Sequence, residues 1–175
     1  MISPVENLAL FKTDAVISVV DDDESVRSSL QRLLRSMDFT VKAFSSAREF
    51  LDQGPLDHYG CAIVDIRMPE MDGFGLQKQL LESGVKLPVI FITAYEDPGV
   101  RARAIQAGAM AFLQKPFNDP DLMEAIRLAL KRSRQQMQEG IKAVSKDGQG
   151  NRKPDLSAKK HPRNSDENIT ATYWG

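Results

Sequence analysis

Hydrophobic residues along the chain alternate between short unbroken runs and longer stretches in which they recur every third or fourth position. Short β-branched runs are typical of buried strands, and the spaced pattern is typical of helices with one buried face. The run over 15–20 predicts a first strand. In the helix predicted over 24–37, Val26, Leu30 and Leu34 lie on one face. This alternation then repeats along most of the chain.

The repeats predict five strands and five helices in strict alternation. The other strands are predicted over 40–44, 60–65, 87–93 and 109–114. The helices after them are predicted to begin at a Ser45-Ser46 cap, near Phe74, at Pro98 and at Asp119. Strands joined by helical crossovers pair in parallel, and the crossovers are right-handed. We therefore expect a doubly wound α/β fold, a five-stranded parallel sheet with helices on both faces.

The composition is that of a soluble globular protein. Hydrophobic residues make up 42% and charged residues 27% of the 175 residues, and the formal net charge is −1. The single cysteine, Cys61, excludes an internal disulfide and a cysteine-based zinc site. No apolar stretch approaches the roughly 18 residues of a membrane span, and the first residues lack a secretory signal pattern. We expect a cytoplasmic protein with no membrane contact and no general attraction to nucleic acid.

The periodic pattern stops near residue 138. The segment 138–175 contains several glycines and prolines, scattered lysines and few apolar residues. Such a segment cannot bury enough apolar surface to fold and is predicted to be disordered. The expected organisation is an N-terminal arm over 1–13, one domain over 14–137 and a disordered tail over 138–175.

Polar side chains follow four of the five predicted strands. They are Asp21 and Asp22 after the first, Asp65 after the third, Thr93 after the fourth and Lys115 after the fifth. Each alone has an ordinary explanation as a cap, a turn residue or a surface charge. In a parallel sheet, however, all these ends face the same edge, where ligands bind in this fold class. Crowded carboxylates suit Mg²⁺, an Asp can form an aspartyl-phosphate, and a lysine and a hydroxyl can bind phosphoryl oxygens.

Four segments resemble the response-regulator receiver domains of bacterial two-component systems. They are VVDDDESVR (19–27), IVDIRMPEMDG (63–73), PVIFITAYED (88–97) and GAMAFLQKPF (108–117). The match extends from about residue 15 to residue 136. The resemblance implies a flavodoxin-like sheet of order 2-1-3-4-5. It also implies phosphorylation by a sensor histidine kinase, without enzymatic activity beyond the domain's own phosphoryl transfer and dephosphorylation.

The resemblance also implies the residues of a phosphorylation site that uses Mg²⁺. Asp65 matches the residue that accepts the phosphoryl group and also contacts the metal. Asp21 and Asp22 match the acidic pair that holds Mg²⁺, with Asp22 as the direct ligand. Arg67 matches the position whose backbone carbonyl binds the metal.

Further matching positions imply a switch beside this site. Thr93 matches the hydroxyl that moves toward the phosphoryl group, and Lys115 matches the lysine that pairs with that group. The bond from Lys115 to Pro116 is expected to be cis. Phe112 matches the aromatic switch residue, and Ala94 matches a small residue that keeps access to the site open.

Two positions depart from the family pattern. Phe112 lacks the hydroxyl of a tyrosine, so its movement cannot depend on a hydroxyl hydrogen bond. Asp38 stands where a glycine is common after the first helix, so some strain is expected in that turn. Besides the kinase, the implied partner is a second copy of the chain or another output protein. It would bind after phosphorylation to the face formed by residues 98–136.

One alternative is an enzyme of the haloacid-dehalogenase phosphatase type. Asp21, Asp23 and Ser25 resemble the signature of that family, which also uses an Asp nucleophile and Mg²⁺. That family needs a further acidic pair at the end of another strand. Here Asp119 and Asp121 begin a helix instead, and the DIRMPEMDG segment has no explanation in this alternative.

A second alternative is a truncated DNA-binding transcription regulator. The segments above resemble regulators that carry a helix-turn-helix output domain, which needs roughly 60 residues with a basic recognition helix. The 38 residues over 138–175 show no helical periodicity, so we expect no output domain and no direct nucleic-acid binding by this chain. A truncated regulator and a natural single-domain regulator both remain open at this point.

Overall fold

The computed structural model describes residues 15–94 and 97–147. The strands are Val16–Val20 (β1), Val41–Phe44 (β2), Tyr59–Asp65 (β3), Val89–Thr93 (β4) and Ala111–Gln114 (β5). The helices are Glu24–Ser36 (α1), Ala47–Leu51 (α2), Gly73–Glu82 (α3), Pro98–Gln106 (α4) and Asp119–Asp147 (α5). Each predicted strand is present, and its observed ends lie within two residues of the predicted ones. The agreement is close because hydrophobic periodicity and turn residues are local signals.

The five strands form one parallel sheet of order β2-β1-β3-β4-β5, which confirms the expected fold class and strand order. Val20 lies opposite Val64, and Thr93 lies opposite Gln114. This register brings the carboxyl ends of β1, β3, β4 and β5 to the same edge. The chain crosses from one side of β1 to the other between β2 and β3. In such sheets, the crevice at this reversal is where ligands bind.

Helices cover both faces of the sheet, and each face has its own core. Phe50 of α2 and Leu76 of α3 are fully buried on one face. Leu34 of α1 and Ile126 of α5 are fully buried on the other. Side chains of β3 alternate between the two cores, so all seven of its residues are buried. A strand that is buried on both faces is typically a near-continuous run of apolar residues. The charged residue Asp65 at the end of β3 departs from this pattern.

Helix α5 is longer than the sequence pattern predicts. It continues to Asp147, so the interpretation of residues 138–147 as disordered is wrong. Within residues 138–147 only Gly140 disfavours a helix, and one glycine costs about 1 kcal/mol, which the flanking helix formers offset. Met137 and Ile141 are 60% and 67% exposed, so this part of the helix extends beyond the sheet. The predicted arm over 1–13 and the tail over 148–175 lie outside the described residues.

The turn after α1 gives Asp38 a backbone conformation that favours glycine, in line with the strain expected there. Its φ is 62°, in the left-handed region that glycine adopts most easily. The backbone N–H of Asp38 donates to the carbonyl of Arg35, and that of Phe39 donates to the carbonyl of Leu34. The turn therefore ends α1 with the carbonyl groups of Leu34 and Arg35 paired, although the residue is not glycine.

Candidate functional site

Asp21 follows β1 and is almost completely buried, with 1% of its surface exposed. Its Oδ1 accepts a hydrogen bond from the backbone N–H of Asp23 at 2.9 Å. Its own N–H donates to the carbonyl of Phe44 at 3.1 Å, and its carbonyl accepts from the guanidinium of Arg27 at 2.7 Å. Backbone and side chain are thus fixed together, with Oδ2 directed at Lys115.

Asp65 is the last residue of β3 and is also buried. Its Oδ2 accepts a hydrogen bond from the backbone N–H of Arg67 at 2.6 Å. Gly73, the first residue of α3, packs so closely that an added Cβ would lie 2.6 Å from the Asp65 carbonyl oxygen. Its N–H also donates to the carbonyl of Ile66 at 2.9 Å. Only glycine fits there, and this close approach fixes the loop that carries Asp65.

Lys115 joins the two carboxylates. Its Nζ lies 2.7 Å from Oδ2 of Asp21 and 2.9 Å from Oδ1 of Asp65. Its backbone N–H donates to the carbonyl of Thr93 at 2.7 Å, which holds the residue at the end of β5. The bond to Pro116 is cis, as expected. One cation thus bridges two acids that follow or end different strands, and it offsets only part of their charge.

The pKa values of Asp65 and Lys115 both depart from their ordinary values. Burial raises the pKa of Asp65, and the nearby Asp21 charge adds to this, while Lys115 and the Arg67 N–H partly oppose it. Burial lowers the pKa of Lys115, but its hydrogen bonds to Asp21 and Asp65 outweigh that effect and raise it. Lys115 is therefore firmly protonated at neutral pH.

The other predicted site residues lie at or near the same strand ends as Asp21, Asp65 and Lys115, and they differ in how far they are exposed to solvent. Thr93 is buried at the end of β4, the strand next to β5, and Ala94 after it is exposed. Asp22 and Arg67 have exposed side chains beside the buried carboxylates. Phe112 lies half-buried on β5, two residues before the partner of Thr93.

The oxygen donors at this edge of the sheet fit a hard cation such as Mg²⁺. Carboxylate and carbonyl oxygens are present at the ends of β1 and β3, without a nearby thiolate. Within residues 15–94 and 97–147, no group of three or more His, Cys, Asp or Glu side chains has the spacing of a preformed metal cage. The donor set would therefore need backbone oxygens and water as well as carboxylates. In the structure the ammonium of Lys115 offsets part of the carboxylate charge, which leaves a net negative charge for a cation.

Sequence reasoning missed three residues that shape the site. The guanidinium of Arg27 donates a hydrogen bond to the backbone carbonyl of Asp21. Gly73 allows α3 to pack on the end of β3. Arg101 places its guanidinium carbon 6.0 Å from the centre of the Phe112 ring. Only Gly73 had a local signal, because it follows the cap residue Asp72 at the predicted start of a helix.

No helix within the described part of the chain is long and apolar enough to cross a membrane.

The family model for the response regulator receiver domain matches residues 17–127. The chain is 46% identical over 123 residues to the response regulator protein TmoT of Ectopseudomonas mendocina, which covers 70% of this chain and 56% of that protein. It is 44% identical over 121 residues to the transcriptional regulatory protein TdiR of Thauera aromatica, which covers 69% of this chain and 53% of that protein. The chain thus spans about half the length of these relatives.

Solved structures agree with this match. The response regulator StyR superposes with a TM-score of 0.73 at 38% identity, over 78% of this chain and 69% of that one. FixJ-N superposes with a TM-score of 0.64 at 36% identity, over 69% of this chain and 96% of that one. Sequence and fold therefore point to the same family, which removes the support for the phosphatase alternative. The chain belongs to the response regulator receiver domain family, and residues 17–127 form the receiver domain of a two-component response regulator.

Proposed function

We propose that Asp65 is the residue of this receiver domain that accepts the phosphoryl group. The single observation that carries the proposal is its buried carboxylate at the carboxyl edge of the sheet, 2.9 Å from the ammonium of Lys115. A structural aspartate at a strand end would be exposed or would cap a helix, whereas Asp65 faces a second buried acid and a shared cation. Perturbed ionisable groups of this kind cluster at functional sites.

The donor in this proposal is a phosphohistidine of a sensor kinase in the cytoplasm. A carboxylate oxygen of Asp65 attacks phosphorus, the P–N bond of the phosphohistidine breaks, and the imidazole nitrogen keeps the electron pair of that bond. Lys115 lies where it can donate to an oxygen of the transferred group. Uptake of labelled phosphate from acetyl phosphate, with and without Mg²⁺, tests this assignment.

Mg²⁺ is the proposed cofactor, bound by Asp21, Asp22, Asp65 and the backbone carbonyl of Arg67. When bound, it would hold phosphoryl oxygens and offset their charge. Asp22 is exposed, so its carboxylate can turn toward a cation, whereas Asp21 beside it is almost completely buried. Asp22 is therefore the direct ligand in this proposal, and Asp21 acts through charge or water. The N–H of Arg67 contacts Asp65, so its backbone lies next to the proposed site.

Substitution of Asp22 by Ala is expected to weaken Mg²⁺ binding roughly tenfold or more, because one of few anionic ligands is lost. Mg²⁺ titrations followed by amide NMR shifts would measure the affinity. The control is Glu24→Ala, which removes a neighbouring exposed acid from the first turn of α1. Equal affinities in the Asp22→Ala variant and the wild type would show that Asp22 is not a ligand.

Thr93 and Phe112 form the proposed switch. Phosphorylation adds about two negative charges near Lys115. The buried hydroxyl of Thr93 then moves toward the phosphoryl oxygens and leaves space at the end of β4. The half-buried ring of Phe112 turns into that space, because an apolar ring gains burial there. The surface over 98–136 changes its shape as a result.

This switch is proposed to create a homodimer through residues 98–136. Ile105 on α4 is 67% exposed and Leu128 on α5 is 37% exposed, so the face offers apolar contacts between charged residues.

Relatives named as transcriptional regulators support a role of the whole protein in transcription. The chain spans only about half of their length, so an output domain missing from this chain remains the alternative. The sequence of the complete gene would decide it.

Sedimentation equilibrium with and without beryllofluoride, a phosphoryl mimic, is expected to show dimers only with the mimic at tens of micromolar protein. Ile105→Glu should abolish the dimer, because it places a charge in an apolar contact. Leu81→Glu is the matched control, since Leu81 is 60% exposed on α3, outside this face. A monomer in both states would leave docking of another protein as the output.

A further inference from the structure

Helix α4 is held to the domain by little apolar burial. Among its side chains described by the structure, Ala104 alone is fully buried, while Val100 is half-buried and Ile105 is largely exposed. Helix α5, by contrast, buries several large side chains, such as Leu122 and Ile126. Contacts at the flanks of α4 therefore add to its attachment.

Two arginines of α4 supply such contacts on opposite flanks. The guanidinium carbon of Arg103 lies 4.1 Å from the ring centre of Phe74, and that of Arg101 lies 6.0 Å from the ring centre of Phe112. Residues two positions apart on a helix point about 200° apart, so the two arginines extend to different neighbours. A guanidinium at such distances is attracted to the face of the ring.

The two rings are connected to the phosphorylation site in different ways. Phe74 follows Gly73, which packs on the carbonyl of Asp65, and its ring lies 4.9 Å from that of buried Phe91. Phe74 is 7% exposed, so tight packing fixes its ring. Phe112 is only half-buried, and it is the ring that moves in the proposed switch.

We propose that Arg101 and Arg103 are positioning residues of the switch with different roles. Arg103 fastens α4 to a ring that stays in place, and Arg101 holds the Phe112 ring in its unphosphorylated position. This inference rests on the proposed function of Asp65 and Phe112. A contact that exists in one state only shifts the equilibrium toward that state, whereas a contact present in both states shifts nothing.

The test is the affinity of the intact chain for beryllofluoride in the presence of Mg²⁺. Arg101→Gln is expected to bind about two- to fivefold more tightly than wild type, because the unphosphorylated state loses one exposed cation–π contact. Arg103→Gln is expected to bind with unchanged affinity. Hydrogen exchange of the α4 amides should become faster in both variants. The matched control, Arg32→Gln, removes an exposed arginine of α1, outside residues 98–136, and should change neither quantity.

The Phe112→Leu variant separates the ring contact from a general charge effect. In that background, Arg101→Gln should add no further change in affinity, because the ring is already absent. The role of Arg101 is overturned if Arg101→Gln leaves the beryllofluoride affinity unchanged. It is also overturned if Arg101→Gln changes that affinity as much in the Phe112→Leu background as in the wild type. Neither result bears on the proposed phosphorylation at Asp65. A wild-type chain that binds no beryllofluoride instead overturns the proposed phosphorylation at Asp65, and this inference with it.

Discussion

Substitution of Asp65 by Asn is expected to reduce phosphoryl uptake from acetyl phosphate to background. The amide has nearly the same shape, but its oxygen is not nucleophilic enough to attack phosphorus. Lys115 retains Asp21 as a partner, so the fold should persist. Acid-stable, base-labile labelling of the protein would measure the loss, and circular dichroism would confirm that the variant is folded.

The matched control is Asp57→Asn, the same substitution at an exposed position just before β3, at the opposite edge of the sheet. It should be labelled as strongly as wild type, because it leaves the trio of Asp21, Asp65 and Lys115 intact. Labelling of the Asp65→Asn variant at the wild-type level would show that another residue accepts the phosphoryl group.

The second large effect is expected from Lys115→Met, which keeps the length of the side chain and removes its charge. Asp21 and Asp65 then face each other without their shared cation. Breaking a buried ion pair from one side costs about 3–5 kcal/mol, and the partial exposure of Lys115 reduces this to about 2 kcal/mol at pH 7. Urea unfolding would measure the free energy, with Lys86→Met, an exposed lysine, as the control.

The loss of stability in the Lys115→Met variant is expected to depend on pH. The folded pKa of Asp65 is already raised by burial, and loss of Lys115 raises it further, because the lysine opposes the shift. A carboxyl group with a raised folded pKa favours folding below its unfolded pKa, and this contribution disappears as pH rises through the folded pKa. The variant should therefore be closest to wild type at acidic pH and furthest from it at neutral pH. Equal differences at pH 5 and pH 7 would contradict this account.

The order of strands and helices could be predicted from the sequence because each signal is local. β-branched runs, cap residues and a three-to-four-residue period lie within a few neighbours of each other, and they placed β1 to β5 within two residues. The strand order, by contrast, came from the resemblance to a family. The end of α5 was missed because the apolar periodicity stops near residue 138, whereas the residues around Gly140 still favour a helix.

The sequence by itself determined which polar residues end the strands, and the parallel fold then required Asp21, Asp65, Thr93 and Lys115 to share one edge. Only the tertiary structure decided that one ammonium bridges two carboxylates, 94 and 50 residues away along the chain. It also decided that Gly73 packs on the end of β3 and that α4 rests on aromatic rings through its arginines. The physical reason is that these contacts depend on strand order, register and helix packing, which join residues that no local period relates.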